Sequence, residues 1–535
     1  MPLPSARLHP VGSWFRHAGR LALTLVVMWS SACSEGRITA DPLQTLNASW
    51  QPGQTGSAAS PCTQALRGSH TTYDVGPGRT YTDLQDVPWL SLEAGDVVNV
   101  HYRPEPYRSR IVLRAQGKPG APVIINGVSN PQCLRPTVTG EEAPLVHDAS
   151  KARVLNPATA GLGTVFIAPA YGAPVEQRPR YITIQGLKIS GASSAQHYIS
   201  DTNERLAFTK GAAGIHASIV DHLLVENCEV TGNDNGIFVN TREDQESMTS
   251  RQVTLRGNLI HLNGVSGSFF EHNVYVQAAG AIYEGNFIGQ LVPGATGSSL
   301  KDRSSGTVIR YNHIVAAARA IDLVETDGGG NTVAKEPDYH LAWVYGNLIV
   351  SDMYNPGRSS TLLIHWGGDL NESQYRHGTL YFYNNTVVLV GNKDQAGVFY
   401  VFDMPSDEQK VDVRQNIFWR AGNAPLALGY KHGRIELQGP NWISDGWLPA
   451  QRGSSVTLKI LVPPIEGEQP GLDARLRPLE SGASAQRGAI GVLAGMPLGP
   501  TGAGTPPGFE YTPLGQLRQR QVTGTSMDLG AFGVR

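Results

Sequence analysis

The chain is predicted to fold as an all-β, single-stranded right-handed parallel β-helix, and three observations carry that expectation. A short strand pattern recurs as ITIQGLKIS from Ile182, LLVENCEVT from Leu223, VTLRGNLIH from Val253, AIYEGNFIG from Ala281, TVIRYNHIV from Thr307, AWVYGNLIV from Ala342, LYFYNNTVV from Leu380 and VDVRQNIFW from Val411, at spacings of 41, 30, 28, 26, 35, 38 and 31 residues. One position is Asn in the later copies (Asn258, Asn286, Asn312, Asn347, Asn385, Asn416), and two residues on stands an apolar residue (Ile260, Ile288, Ile314, Ile349, Val387, Phe418). Coils of a β-helix stack at ~4.8 Å, so equal positions become neighbours. The Asn column can then hydrogen-bond along the stack, and the apolar column fills an interior that no coil can bury alone. A barrel or sandwich would instead show hairpin turns every ~8–12 residues and no single-position Asn column.

From the N-terminus, residues 1–32 read as a targeting segment. Arg7, Arg16 and Arg20 precede the apolar run Leu21 to Trp29, and Ser30, Ser31 and Ala32 lead into Cys33. The run is too short to span a bilayer. Its order resembles the signal of bacterial lipoproteins, which implies lipidation of Cys33. Ser30 stands where that pattern carries an aliphatic residue, so an ordinary secretory signal is the alternative. Either way the expected product is exported: an outer-membrane-anchored lipoprotein, or a periplasmic or secreted protein. Residues 33–70 are expected to be a flexible exported segment. In an oxidising compartment Cys62 and Cys133 are expected to form a disulfide that pins it, and Cys228 to be a buried thiol.

Residues 71–445 are assigned to the β-helix. Residues 446–535, rich in Pro and Gly between Gly467 and Gly508, are assigned to an irregular segment closing on it. With 43 Lys+Arg against 45 Asp+Glu and 16% charged residues, the chain has no bulk charge for a nucleic-acid partner. It contains 61 Gly and 35 Pro beside 40% hydrophobic residues, the composition of a turn-rich globular protein. A monomer is expected, touching a membrane only through the lipid anchor.

The stretch Val75 to Gly127 and the closing DLGAFG, Asp528 to Gly533, together with the coils, resemble the pectate-lyase-like β-helix proteins of bacteria. That fold hosts lyases, hydrolases, epimerases, esterases and non-catalytic adhesins, so function has to be argued from a site.

A second strand recurs in each coil: NGIFVN from Asn235, NVYVQ from Asn273, SLKDR from Ser299, AIDLV from Ala320 and LIHWG from Leu363. With Ile237, Val274, Leu300, Ile321 and Ile364 pointing inward, alternation turns Phe238, Tyr275, Lys301, Asp322 and His365 outward. Gln277 and Arg303 lie two residues further along the same face, and the glycine-rich insertion Gly289 to Ser298 can wall a cleft beside it. Alternation points Asp302 inward unless the strand ends or bends there. A parallel column, Arg256, Glu284, Arg310, Tyr345, Tyr383 and Arg414, reads as ordinary cross-strand pairing on a solvated sheet.

The pair H-N-x-Y-V from His272 and L-K-x-R from Leu300 resembles one found in exported β-helix proteins similar to polysaccharide lyases. Elimination next to a uronate carboxylate needs a cation, a base and an acid. The catalytic expectation is Arg303 as carboxylate clamp, Lys301 as base with His272 as the alternative, and Tyr275 as proton donor or acceptor. Lys301 and Arg303 are expected to be exposed, and Asp322, His365, Gln277 and Trp366 to bind substrate. The expected function is an exported lyase on a uronic-acid-containing polysaccharide. A glycoside hydrolase, a carbon-5 epimerase and a non-catalytic glycan-binding protein stacking sugars on Trp343, Trp366, Tyr345, Tyr381 and Tyr383 are the alternatives. No cofactor is expected. Calcium at Glu325, Asp327 and Gly328 to Gly330 is a weaker alternative, since the ion wants six to eight oxygens.

Overall fold

The computed structural model describes residues 62–144, 161–170, 172–200, 202–242, 248–328, 332–353, 361–392, 397–473, 475–479, 487–512, 516–521 and 524–533. The targeting segment and Cys33 lie outside the described residues. Among the described residues, three all-parallel sheets of thirteen, twelve and eleven strands form a right-handed parallel β-helix. Each coil adds one strand to each sheet in turn: Ala279–Glu284 to the first, Phe287–Ile288 to the second and Leu300–Asp302 to the third, before Thr307–Arg310 opens the next coil.

The register puts the repeating positions on top of one another. Ile260, Ile288, Ile314, Ile349, Val387 and Phe418 are Cα partners in succession, and all are buried in the central core. Removing such a side chain from water contributes roughly 1.5–3 kcal/mol each. The Asn column lies at the corner between the first and second sheets. Each Asn Oδ1 accepts from the backbone N–H of the Asn one coil earlier, from Asn258 onto Asn286 at 3.0 Å to Asn385 onto Asn416 at 2.9 Å. The ladder reaches one coil further than the sequence pattern, since Asn416 N–H donates to Asn441. The residue before each Asn turns the corner at positive φ. Gly fills that position at 257, 285 and 346, while Tyr311, Asn384 and Gln415 adopt it at 57°, 51° and 57°.

Both ends differ from the expected boundaries. Cys62 is disulfide-bonded to Cys133, and the Thr63 and Leu66 amides donate to Ser129 Oγ and Asn99 Oδ1. The chain is therefore pinned to the first coils from residue 62, eight residues before the expected end of the flexible segment. Leu84, Val87, Trp89 and Leu92 then close the open end of the first coil against the core. At the other end the β-helix continues past residue 445, through Leu448–Ala450, Thr457–Ile460 and Ile465–Gly467. These three further pairings, one in each sheet, precede the Pro/Gly-rich stretch that begins at Gly467.

The C-terminal segment lies along the outer face of the first sheet. Leu493, Met496, Ala503 and Met527 cluster with Val308, Tyr311, Trp343, Tyr345 and Tyr383. Gly504 and Gly508 amides donate to the Tyr383 and Tyr311 hydroxyls, and Trp343 Nε1 donates to Pro497 O. Trp343, Tyr345 and Tyr383 are thus covered and cannot stack sugars. The ion pairing expected in this column is present earlier along it, where Glu284 holds both Arg256 and Arg310.

Candidate functional site

The outward face of the third sheet carries one continuous column. Phe166, His216, Phe238, Tyr275, Lys301, Asp322, His365 and Asp403 are successive Cα partners. Its early part is aromatic, with Phe166, His216, Phe238 and Tyr275 packed at centroid distances of 5.5, 5.0 and 4.6 Å. The column then becomes charged within one coil step.

Lys301 is the centre of the charged part. Its Nζ donates to Asp322 Oδ2 at 3.0 Å and to Asp369 Oδ2 at 2.8 Å. His365 Nδ1 lies 2.9 Å from Asp322 Oδ1 and 3.3 Å from Asp369 Oδ1, so the imidazole spans the same two carboxylates. Ser298 Oγ donates to Asp322 at 2.9 Å, and Arg319 pairs with Asp403 at 2.9 Å while lying 3.9 Å from Asp322. Burial alone would raise the Asp322 carboxyl, but Lys301, and then His365, outweigh it and hold the group well below the usual carboxylate range. Burial and Asp322 likewise push the Asp369 carboxyl up, and Lys301 and His365 bring it below its ordinary value. Both acids are ionised.

The neighbouring part holds Tyr275, Arg303 and His272. The Tyr275 hydroxyl donates to Asp327 Oδ2 at 3.3 Å, and the Arg303 guanidinium lies 5.9 Å from the tyrosine ring centroid. Burial pushes the phenol up, so Tyr275 stays protonated. Arg303 Nη1 donates to Glu325 O, with the Glu325 carboxylate 3.8 Å away.

Lys301, Arg303, His272 and Tyr275 are thus brought together, with Asp322 and His365 beside them, but several expected roles change. Lys301 and Arg303 are buried, at 8% and 7% exposure, because loops 325–327 and 369–371 fold over them. Lys301 is a charge bridge between two acids, which is not the geometry of a free amine base. His272 cannot serve as base. Its Nδ1 accepts the Ser298 backbone N–H at 2.8 Å, and burial with the nearby Lys301 charge holds the ring neutral, down to about 3. Gln277 braces rather than faces the site: its Nε2 donates to Asp327 O at 3.0 Å and its Oε1 accepts from Asp327 N at 3.2 Å. Trp366 is a core residue, fully buried and in register with the inward Leu323, with the Arg376 guanidinium 5.0 Å from its ring centroid. A tryptophan one position after an outward residue must point inward.

Asp302 also points inward, and the strand ends there. Its carboxylate accepts from Arg376 Nη1 at 3.0 Å, Thr307 Oγ1 at 2.7 Å and Tyr283 Oη at 2.7 Å, so the buried charge is fully partnered.

Asp369, Arg319, Ser298 and Arg376 lie in loops outside the strand repeat, where no periodic signal marks them as part of the cluster. Asp369 is the outermost acid of the cluster, its side chain 24% exposed. Glu325 fixes it there: one buried carboxylate accepts the backbone N–H groups of Asp369, Leu370 and Asn371 at 2.7, 2.7 and 2.9 Å. A carboxylate so engaged is not free for calcium, and Gly329 and Gly330 of the expected calcium segment lie outside the described residues. Asp322, His365 and Asp369 do present ligand atoms within 4.8 Å of one another. The Lys301 ammonium fills the place between the two acids that a cation would take.

No family model matches the chain, and no curated protein matches it. Among solved structures it is similar to a DFA-IIIase from Arthrobacter chlorophenolicus A6 without its lid, in complex with GF2, at 12% identity and TM-score 0.39, over 69% of this chain and 89% of that one. It is also similar to the GH136 lacto-N-biosidase from Eubacterium ramulus, at 12% identity and TM-score 0.35 over 73% and 67% of the two chains. Pectate lyase Pel9A follows at 12% identity and TM-score 0.34, over 87% and 96%. At this level the likenesses carry no assignment of a reaction, which has to rest on the side chains.

Proposed function

We propose that the protein is an exported carbohydrate-active enzyme, a lyase that cleaves a uronic-acid-containing polysaccharide by β-elimination. The observation that carries this reading is the pairing of two cations, Lys301 and Arg303, with a phenol kept neutral by burial, beside acids that are both ionised. The substrate carboxylate binds between Lys301 and Arg303, whose charges stabilise the carbanion-like state as the neighbouring proton leaves. Drawing Lys301 toward that carboxylate loosens its hold on Asp369, and the freed Asp369 oxygen takes the proton. Tyr275 donates its phenolic proton to the departing glycosidic oxygen. The products are an unsaturated chain end and a new saturated chain end. The Cys62–Cys133 disulfide supports an oxidising compartment, and with it export.

Glycoside hydrolysis is the second reading, favoured by the Asp322 and Asp369 carboxylates facing one His365. It needs one of them protonated, which the Lys301 bridge opposes. Incubation with alginate, polygalacturonate, glucuronan and glycosaminoglycans separates the two. Elimination produces ultraviolet-absorbing unsaturated ends, whereas new reducing ends without that absorbance establish hydrolysis and overturn the lyase assignment.

A further inference from the structure

Most large aromatic side chains among the described residues are buried, but Phe269 and Phe270 are 62% and 64% exposed. Their rings pair at a centroid distance of 4.1 Å, and the exposed Lys210 ammonium lies 5.8 Å from the Phe270 ring centroid. Two adjacent phenylalanines held in water leave apolar area that a covering ligand would bury favourably.

Their loop is fixed to the catalytic column. It precedes the strand Val274–Val276 and is bonded to the loop of the next coil through Gly267 N–H to Gly294 O at 2.8 Å and Thr296 N–H to Ser268 O at 2.9 Å. Two residues after Phe270, His272 Nδ1 holds the Ser298 amide, and the Ser298 hydroxyl holds Asp322. The phenylalanines therefore sit at the entering edge of the strands that carry Tyr275 and Lys301, on a support that continues into the charged cluster.

We propose that Phe269 and Phe270 form a stacking subsite for a pyranose ring of the same acidic polysaccharide, away from the bond that is cleaved, with Lys210 pairing with that ring's carboxylate. The proposal rests on the acidic-glycan reading of the Lys301 site and names where a second sugar of the chain binds. The C–H face of a pyranose lies flat on an aromatic plane, and an ammonium at the ring edge selects a uronate over a neutral sugar.

The test is electrophoretic retardation in native gels containing polygalacturonate, alginate, glucuronan or hyaluronan, with neutral dextran as control, read beside the elimination assay. The Phe269→Ala/Phe270→Ala variant should bind the retarding polymer about tenfold more weakly at an unchanged melting temperature, and Lys210→Ala should weaken it less. Retention of full affinity by the double variant overturns the subsite while leaving the lyase assignment intact. Loss of affinity without elimination by the wild type overturns the lyase assignment and supports the subsite. Retardation of the wild type by dextran alone, or by none of these polymers, overturns the subsite, while the elimination assay alone decides the lyase assignment.

Discussion

His365 and Asp322 stand directly opposite one another on adjacent coils, and their contact fixes the state of the ring. With Nδ1 2.9 Å from a carboxylate that stays ionised, the imidazole carries its proton on Nδ1 and shares it with Asp322 and Asp369. Asp322 therefore serves three donors at once, Lys301, His365 and Ser298. Asp322→Asn should lower stability by about 3 kcal/mol, because it strips charge compensation from buried partners. It should also lower turnover on the order of 10²-fold by misplacing Lys301. Denaturant unfolding beside the elimination assay measures both, and an unshifted unfolding midpoint would remove Asp322 from its place at the centre of the network.

Lys301→Ala should cost turnover on the order of 10² or more, and, because Lys301 is buried between two acids, it should also destabilise the fold. Adding Asp369→Asn to Lys301→Ala should recover part of that stability without recovering activity, since it removes one of the two uncompensated charges. A double-mutant cycle reads the coupling, expected at roughly 1–3 kcal/mol. Simple additivity of the two effects would contradict a shared charge bridge.

Acid should weaken the protein in two stages. Burial lowers His216 and His313 to about 4, and burial with Lys301 lowers His272 to about 3, all from an ordinary value of 6.5. A histidine whose folded value is depressed contributes stability that is fully present above 6.5 and lost as pH falls toward the folded value. The first loss thus runs from pH 6.5 to about 4 for His216 and His313 and on to about 3 for His272, while the contribution of Asp322 and Asp369 is lost below the usual carboxylate range of ~3.9. His216→Phe extends the aromatic stack and removes one of these titrations. Its melting temperature should fall less steeply than that of the wild type between pH 6.5 and 4. Identical slopes would mean that His216 is not held neutral.

Asn312→Ala should act on folding alone. Asn312 Oδ1 accepts both the backbone N–H and the side-chain amide of Asn286, and its own Nδ2 donates to Tyr283 O and Asn347 Oδ1. Truncation leaves buried donors and acceptors unpaired at about 1–3 kcal/mol each. Thermal unfolding should register the loss while the KM for substrate stays unchanged.

The architecture was legible because a solenoid writes its contacts into equal sequence positions: Asn258, Asn286 and Asn312 appear as a column in the text and as a hydrogen-bonded chain in space. The same alternation set Tyr275, Lys301, Asp322 and His365 on one face, and it requires Trp366 to turn inward. Loops escape that logic. Asp369, Arg319 and Arg376 have no periodic counterpart, and nothing local tells which coil a loop residue will reach. The burial of Lys301 and Arg303 was hidden for the same reason. It is imposed by Glu325 gathering three amides from a loop 44 to 46 residues away. The covering of Trp343 and Tyr383 depends on a segment more than a hundred residues downstream.

A stack of coils joined only to nearest neighbours can peel from either end, one turn at a time. The C-terminal segment acts as a splint against this. It grips Arg310 and Tyr311 from one coil, Trp343 from the next, Tyr383 from the third and Arg414 from the fourth, through bonds spanning up to 197 residues. None of these turns can loosen without detaching the splint from the others. The third-sheet strands bearing Lys301, Asp322 and His365 run through the same stretch of the stack, so fraying that begins at the far end halts before it reaches them.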